Sequence, residues 1–121
     1  MHIYQLPGAT IEVHCDIVNN STTDCIPRVT LFQKQIYLFA ERHKACQVEK
    51  SLPIVGECVT KESNSYQKLT LTIPTDVDLS IITELIVVKY FIHVTLDIPH
   101  ALDIHVDLPI VVTTVSAPEF R

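Results

Sequence analysis

Alternation of apolar and polar side chains dominates the second half of the chain. Ile86, Val88, Tyr90, Ile92, Val94, Leu96 and Ile98 are apolar or carry one hydroxyl tip. The positions between them change from Leu85, Val87 and Phe91 to His93, Thr95 and Asp97. Successive side chains of a strand point to opposite faces, so this run predicts a strand with one buried face and an outer face that becomes wet toward its end. Ile104, Val106, Leu108, Ile110 and Val112 repeat the scheme. The connection between the runs is short and contains Pro99, which predicts an antiparallel hairpin. Both apolar faces must lie on one side of the sheet, because a single-residue slip would turn one of them into water. Pairing Ile98 with Ile104 meets that condition and sets Asp97 opposite His105 and Thr95 opposite Asp107. A two-residue slip meets it as well but brings Asp97 against Asp103, and like-charge repulsion favours the first register.

The same reading extends to the first half. Thr10 to Val18 alternates, with Ile11, Val13, Cys15 and Ile17 on one side and Glu12, His14 and Asp16 on the other. Tyr4 to Ala9 runs through a Pro7-Gly8 turn, and Asn19 to Asp24 is a polar turn whose short side chains can bond their own backbone. Pro27 opens a long strand over Arg28 to Ala40, and its apolar parity changes across Gln33, Lys34 and Gln35, the pattern of a bulge or a change of buried face. Glu41-Arg42-His43-Lys44 reads as a charged hairpin tip. Ala45 to Val55 is a weaker strand broken near Pro53, Gly56 to Lys61 a short extension, Glu62 to Ser65 a turn, and Tyr66 to Ile73 a strand. Pro74 to Ser80 is a loop. About seven strands separated by turn signals predict an all-β fold, an immunoglobulin-like antiparallel β-sandwich.

Composition fits that class. The chain has 121 residues, 47% of them hydrophobic, with only 2 Gly, and it reads as a single domain over residues 1–121. A net charge of -5 argues against general affinity for nucleic acid and for anionic membranes. No apolar run reaches the ~20 residues of a membrane span without interruption. The start Met1-His2-Ile3-Tyr4-Gln5 lacks the charged and apolar regions of a signal peptide, so the expectation is a cytoplasmic chain whose thiols are reduced and whose Asn19 and Asn20 sequons are idle.

Chemistry is sparse. Cys15, Cys25, Cys46 and Cys58 show no C-x-x-C spacing, and the sequence holds no G-x-S-x-G and no phosphate loop. His93, His100 and His105 lie near Asp97, Asp103 and Asp107, but nothing in the spacing makes further ligands converge, so no metal, no cofactor and no catalytic residue are expected. Cys15 stands on the apolar face of its strand. Cys25 lies in a turn just before a strand and is the candidate reactive thiol on the expectation that it is exposed. Arg42, His43 and Lys44 form a basic tip on an acidic domain, a candidate contact for an acidic partner motif or for headgroups. Sheet edges can also accept a peptide strand.

Three sets of residues resemble the carboxy-terminal lobe of the arrestin superfamily: Tyr4-x-x-Pro7-Gly8-x-x-Ile11-x-Val13; Pro27-Arg28-Val29-x-Leu31-x-Gln33-x-Gln35; and Val88-x-Tyr90-x-Ile92-x-Val94-x-Leu96-x-Ile98-Pro99 with Leu108-Pro109-Ile110-Val111. The pattern is most similar to the α-arrestins, the arrestin-domain-containing proteins. The resemblance implies one lobe of a two-lobe, non-enzymatic trafficking adaptor, recruited to plasma membrane or endosomes. Its protein partners would be membrane cargo tails and HECT-type ubiquitin ligases. The ligase-recruiting Pro-Pro-x-Tyr motif is not in this sequence. The cysteine with which one branch of the family pairs with thioredoxin corresponds to about Ser21 here, not Cys25. Two alternatives stand beside the adaptor: a redox-sensitive binding module using Cys25, and a generic immunoglobulin-like binding domain.

Overall fold

The computed structural model describes residues 4–39, 42–99 and 103–114; the side chains of Phe39, Arg42 and His43 lie outside that description. Within it the chain forms β1 (Tyr4–Gln5), β2 (Thr10–Asn19), β3 (Ile26–Phe39), β4 (Arg42–Glu49), β5 (Ile54–Val55), β6 (Ser63–Thr72), β7 (Ile81–Ile82), β8 (Ile86–Asp97) and β9 (Ile104–Val112). A seven-stranded sheet runs in the order β1-β9-β8-β3-β4, with β5 beside β3 and β7 beside β8; it faces a two-stranded sheet of β2 and β6. The pairs are antiparallel apart from β1 on β9, which is parallel. The all-β sandwich expected from the alternation is therefore the fold.

The core forms where the inner faces of the two sheets meet. Val29, Leu31, Val88, Tyr90, Ile92, Ile110 and Val112 from the wide sheet pack against Val13, Leu69, Leu71 and Ile73 from the narrow one. A smaller cluster of Ile17, Cys25 and Val59 closes one end. The Pro7-Gly8 turn has its expected form: Ala9 N–H donates to the Leu6 carbonyl at 3.0 Å, and Gly8 takes a φ of 83° that a side chain would disfavour.

Three expectations are corrected. The β8–β9 hairpin pairs Leu96 with Ile104, Thr95 with His105 and His93 with Asp107, two residues away from the register favoured by charge repulsion. The repulsion is absent because the carboxylates turn to other partners. Asp97 accepts from Arg28 at 3.3 Å across β3, and Asp103 accepts from the Ile98 N–H at 3.2 Å. Long β3 holds no bulge: its pairing to β8 is continuous from Ile26 to Tyr37. The buried parity carries straight through the polar centre, because Gln33 is itself a core residue with no exposed surface. Finally, β6 begins at Ser63, so the expected Glu62–Ser65 turn is shorter, with Glu62 at a positive φ of 56°.

Gln33 is held by its neighbour on β8. Its Nε2 donates to the Tyr90 hydroxyl at 2.7 Å, and that hydroxyl donates onward to the Asp78 carbonyl at 2.5 Å. Gln35 Nε2 donates to Gln33 Oε1 at 2.6 Å, and Tyr37 donates to Gln35 Oε1 at 2.7 Å. Among the described residues no buried side-chain nitrogen or oxygen lacks a hydrogen-bond partner, which is the condition for burying it without a large cost.

Two substitutions test these contacts. Tyr90→Phe leaves the Gln33 amide and the Asp78 carbonyl without their partner and is expected to lower the free energy of unfolding by about 1–3 kcal/mol, read from urea melts. Gly56→Ala brings a methyl against Gln67 Oε1 and within 2.8 Å of the Pro27 ring, and is expected to cost about 1–3 kcal/mol by overpacking. An unchanged midpoint in either melt would show that the contact does not constrain the fold.

Candidate interaction surface

The two sheets differ in width, and the difference exposes the site. Adjacent residues in the β3–β8–β9 ladder share a face: Val29, Val94 and Val106 form one row, and Leu31, Ile92 and Leu108 the next. The β3 and β8 members are buried or half-buried under β2 and β6. Their β9 counterparts are not covered: Ile104 is 54% exposed, Val106 50% and Leu108 36%. These three were expected on the buried face. They do point to the inner side of the sheet, but the two-stranded layer does not reach them.

The result is an apolar groove of ≈ 290 Å³ between the edges of the two sheets. Ile104, Val106 and Leu108 form one wall, Val13, Cys15 and Ile17 on β2 the other, and Val94, Leu96 and Pro27 the base. Among the described residues β2 pairs only with β6, and β9 carries only β1, at Val111 and Val112, on its outer edge. Both sides of the groove are thus unpaired strand edges along most of their length. His14 and Asp16 stand at the β2 rim.

On the opposite, outer face of the wide sheet, His93, Asp107 and His105 meet in a way the observed register creates. The Asp107 carboxylate lies 2.5 Å from His93 Nδ1, and His93 Nε2 lies 3.1 Å from His105 Nδ1. A proton on His93 Nδ1 bonded to Asp107 leaves Nε2 to accept from His105, so the carboxylate sets the tautomers of both rings. Phe32 and Phe91 stack beside them at 5.5 Å. Among the described residues no three or more His, Cys, Asp or Glu side chains group as a metal site.

The other candidates of the sequence are scattered. Cys25 is not exposed but 3% accessible, a correction with a clear cause. It exchanges both backbone hydrogen bonds with Val59, at 3.0 and 2.7 Å, and its side chain packs with Ile17 and Val59. The preceding turn is held by Asn19, whose Nδ2 donates to the carbonyls of Thr23, Val59 and Thr60 and whose Oδ1 accepts from Ser21. Burial, followed by the neighbouring Cys58 and Asp24, pushes the Cys25 thiol above its ordinary value of 9.0, the opposite of what a reactive thiol needs. Burial raises Cys15 likewise. The exposed thiols are Cys46 and Cys58. Arg42, His43 and Lys44 are not a free tip but the start of β4, paired with Phe39, Leu38 and Tyr37. Lys44 is exposed; the side chains of Arg42 and His43, and residues 40 and 41 between the strands, lie outside the described residues, as does His100.

Iodoacetamide at neutral pH is therefore expected to label Cys46 and Cys58 first, with Cys25 at least ~10-fold slower, by mass spectrometry of the native chain. The raised thiol also fixes a sign. The folded state keeps a proton that the unfolded chain releases above 9.0, so stability is unaffected by Cys25 below that pH and falls above it. Cys25→Ala should flatten the decline in urea midpoint as the pH rises through that range. Labelling of Cys25 as fast as Cys58, or an identical decline in the variant, would contradict the burial.

With the geometry in place, comparison with known proteins is informative. The family described as "Arrestin (or S-antigen), C-terminal domain" matches residues 6–117. Among solved structures, the sporulation control protein Spo0M from Bacillus subtilis superposes with a TM-score of 0.68 at 14% identity, over 95% of this chain and 46% of that one. That likeness concerns the fold, and the chain spans about half the length of the protein it matches. Arrestin domains in general bind proteins and are not enzymes, and the groove here offers apolar surface. Among the described residues no helix is long and apolar enough to cross a membrane. The chain belongs to the arrestin C-terminal domain family.

Proposed function

We propose that this chain is the carboxy-terminal arrestin-like lobe of a cytoplasmic trafficking adaptor of the α-arrestin kind. In this reading it works beside a second, amino-terminal lobe and brings membrane cargo together with ubiquitin ligases and endosomal sorting at the plasma membrane or endosomes. It performs no chemistry of its own and needs no cofactor. The observation that carries the reading is the uncovered inner face of β9 opposite β2, where Ile104, Val106 and Leu108 leave apolar surface open to a partner. Arg42, His43 and Lys44, at the start of an edge strand, supply a second, basic contact for acidic segments of a partner.

Proximity biotinylation tests it. The chain fused to a promiscuous biotin ligase is expected to label membrane receptors or transporters and endosomal proteins above a control fusion carrying an unrelated immunoglobulin-like sandwich. Labelling indistinguishable from the control would remove the adaptor reading.

A further inference from the structure

The edge of β9, unpaired before Val111 among the described residues, has a direction, a register and a charge. Thr113 N–H donates to the Gln5 carbonyl on the outer edge, while Val112 turns inward, its N–H to Ser80 Oγ and its carbonyl to Ser80 N–H. Backbone groups alternate along a strand. The outward-facing positions after Thr113 and Val111 are therefore Pro109, Asp107 and His105. Pro109 fits this, because proline belongs where a missing N–H disturbs no ladder. The edge thus offers the N–H and C=O of His105 and Asp107 and the carbonyl of Pro109. β1 already lies parallel to β9 on this edge, Tyr4 beside Val111 and Gln5 beside Val112.

We propose that this edge binds, in trans, an extended segment of a partner protein that lies parallel to β9 in line with β1 and alternates aliphatic with basic residues. The proposal rests on the protein-binding reading above and names the partner's chemistry. Side chains of neighbouring strands share a face, so partner residues beside Ile104, Val106 and Leu108 point into the groove toward Val13 and Ile17. Aliphatic side chains cover there the apolar surface that the two-stranded sheet does not. Partner residues beside His105 and Asp107 point to the outer face. That rim is acidic: Asp107 stands on β9 beside His93, Asp103 just before the strand and Asp16 across the groove, and among the described residues none of the three forms an ion pair with a lysine or arginine. Arg28 and Lys68 are committed to Asp97 and Glu12. Basic residues at the outward positions meet this field; acidic ones are repelled. The binding mode is β-strand addition, in which main-chain hydrogen bonds give affinity and alternate side chains give specificity.

The probe is an acetylated and amidated heptapeptide of alternating valine and lysine, titrated into the chain and followed by amide NMR and hydrogen exchange. Binding is expected to protect the amides of His105 and Asp107 at least ~10-fold. Glutamate in place of lysine should weaken binding at least ~10-fold, and Asp107→Lys should reverse that preference. N-methylating the peptide amides that face β9 should abolish binding, while N-methylating the alternate ones should not. A spin label at the peptide's amino terminus should broaden His105 more than Val111, as parallel docking requires. The proposal is overturned if neither peptide binds, if the protected amides lie on β2, or if the label broadens Val111 more. It is equally overturned if His105 and Asp107 are already protected without peptide, which would mean that residues of this chain or a second copy close the edge. Failure of the biotinylation test with peptide binding intact would discard the adaptor role and leave this binding mode standing.

Discussion

The constraint on which this structure turns is a mismatch of area. A seven-stranded sheet faces a two-stranded one, and a sandwich is sealed only where both layers are present. Under β2 and β6 the wide sheet is dry: Val29, Leu31 and Val112 have no exposed surface. Beyond the edge of β2 the same rows continue onto β9 with the same kinds of side chain and no cover. Burying an aliphatic side chain is worth roughly 1.5–3 kcal/mol. A row of three left half in water is therefore a standing drive toward association, and it lies beside a strand edge that, among the described residues, carries only β1. Natural sheets blunt such edges with charge and proline. Here Asp107, His105 and Pro109 alternate with the aliphatics and do so, which is compatible with selective rather than indiscriminate pairing.

Within the covered region the wide sheet is held by a polar device as well as by apolar packing. Gln33 lies at the centre of β3 where alternation demands an apolar residue. It is tolerated because Tyr90, its cross-strand neighbour, supplies an acceptor and carries the chain of hydrogen bonds to the Asp78 carbonyl. This fixes the loop before β7 to the middle of the sheet. A register slip between β3 and β8 would separate Gln33 from Tyr90 and orphan both, so the pair selects one alignment more sharply than interchangeable valines and leucines do.

Much of this was legible in the sequence. The period of the segments around Val13, Leu71 and Ile92 set the strands, their inward residues and the fold class, because burial on one face leaves a direct trace in residue type. The hairpin register was not legible, because two alignments satisfied the hydrophobic pattern and the choice rested on carboxylates. Whether Asp97 and Asp103 repel depends on Arg28 and on the Ile98 amide, which the fold alone brings near. Cys25 was misjudged for a related reason. A turn near a strand suggests exposure, but the bridge to Val59 is set by residues far along the chain. The groove had a signal that was read in only one way. Ile104, Val106 and Leu108 carry the alternation of a buried face, and alternation states which face is apolar, not whether anything covers it.

The family membership is consistent with where the surface is open. Burial holds the Cys15 and Cys25 thiols above their ordinary range, and hydrogen bonds link Asp107, His93 and His105 on the outer face. What differs from an ordinary closed sandwich is the side where β2 and β9 face each other with no strand between them among the described residues. A layer added there would extend both sheets' apolar interior without disturbing a buried contact, since nothing of the main core lies in its way. Recognition by such an edge follows the logic of folding: the groove accepts what would otherwise have been a further strand of the domain. Specificity then falls to the outward row, where Asp107 and its neighbours judge the charge of the incoming segment.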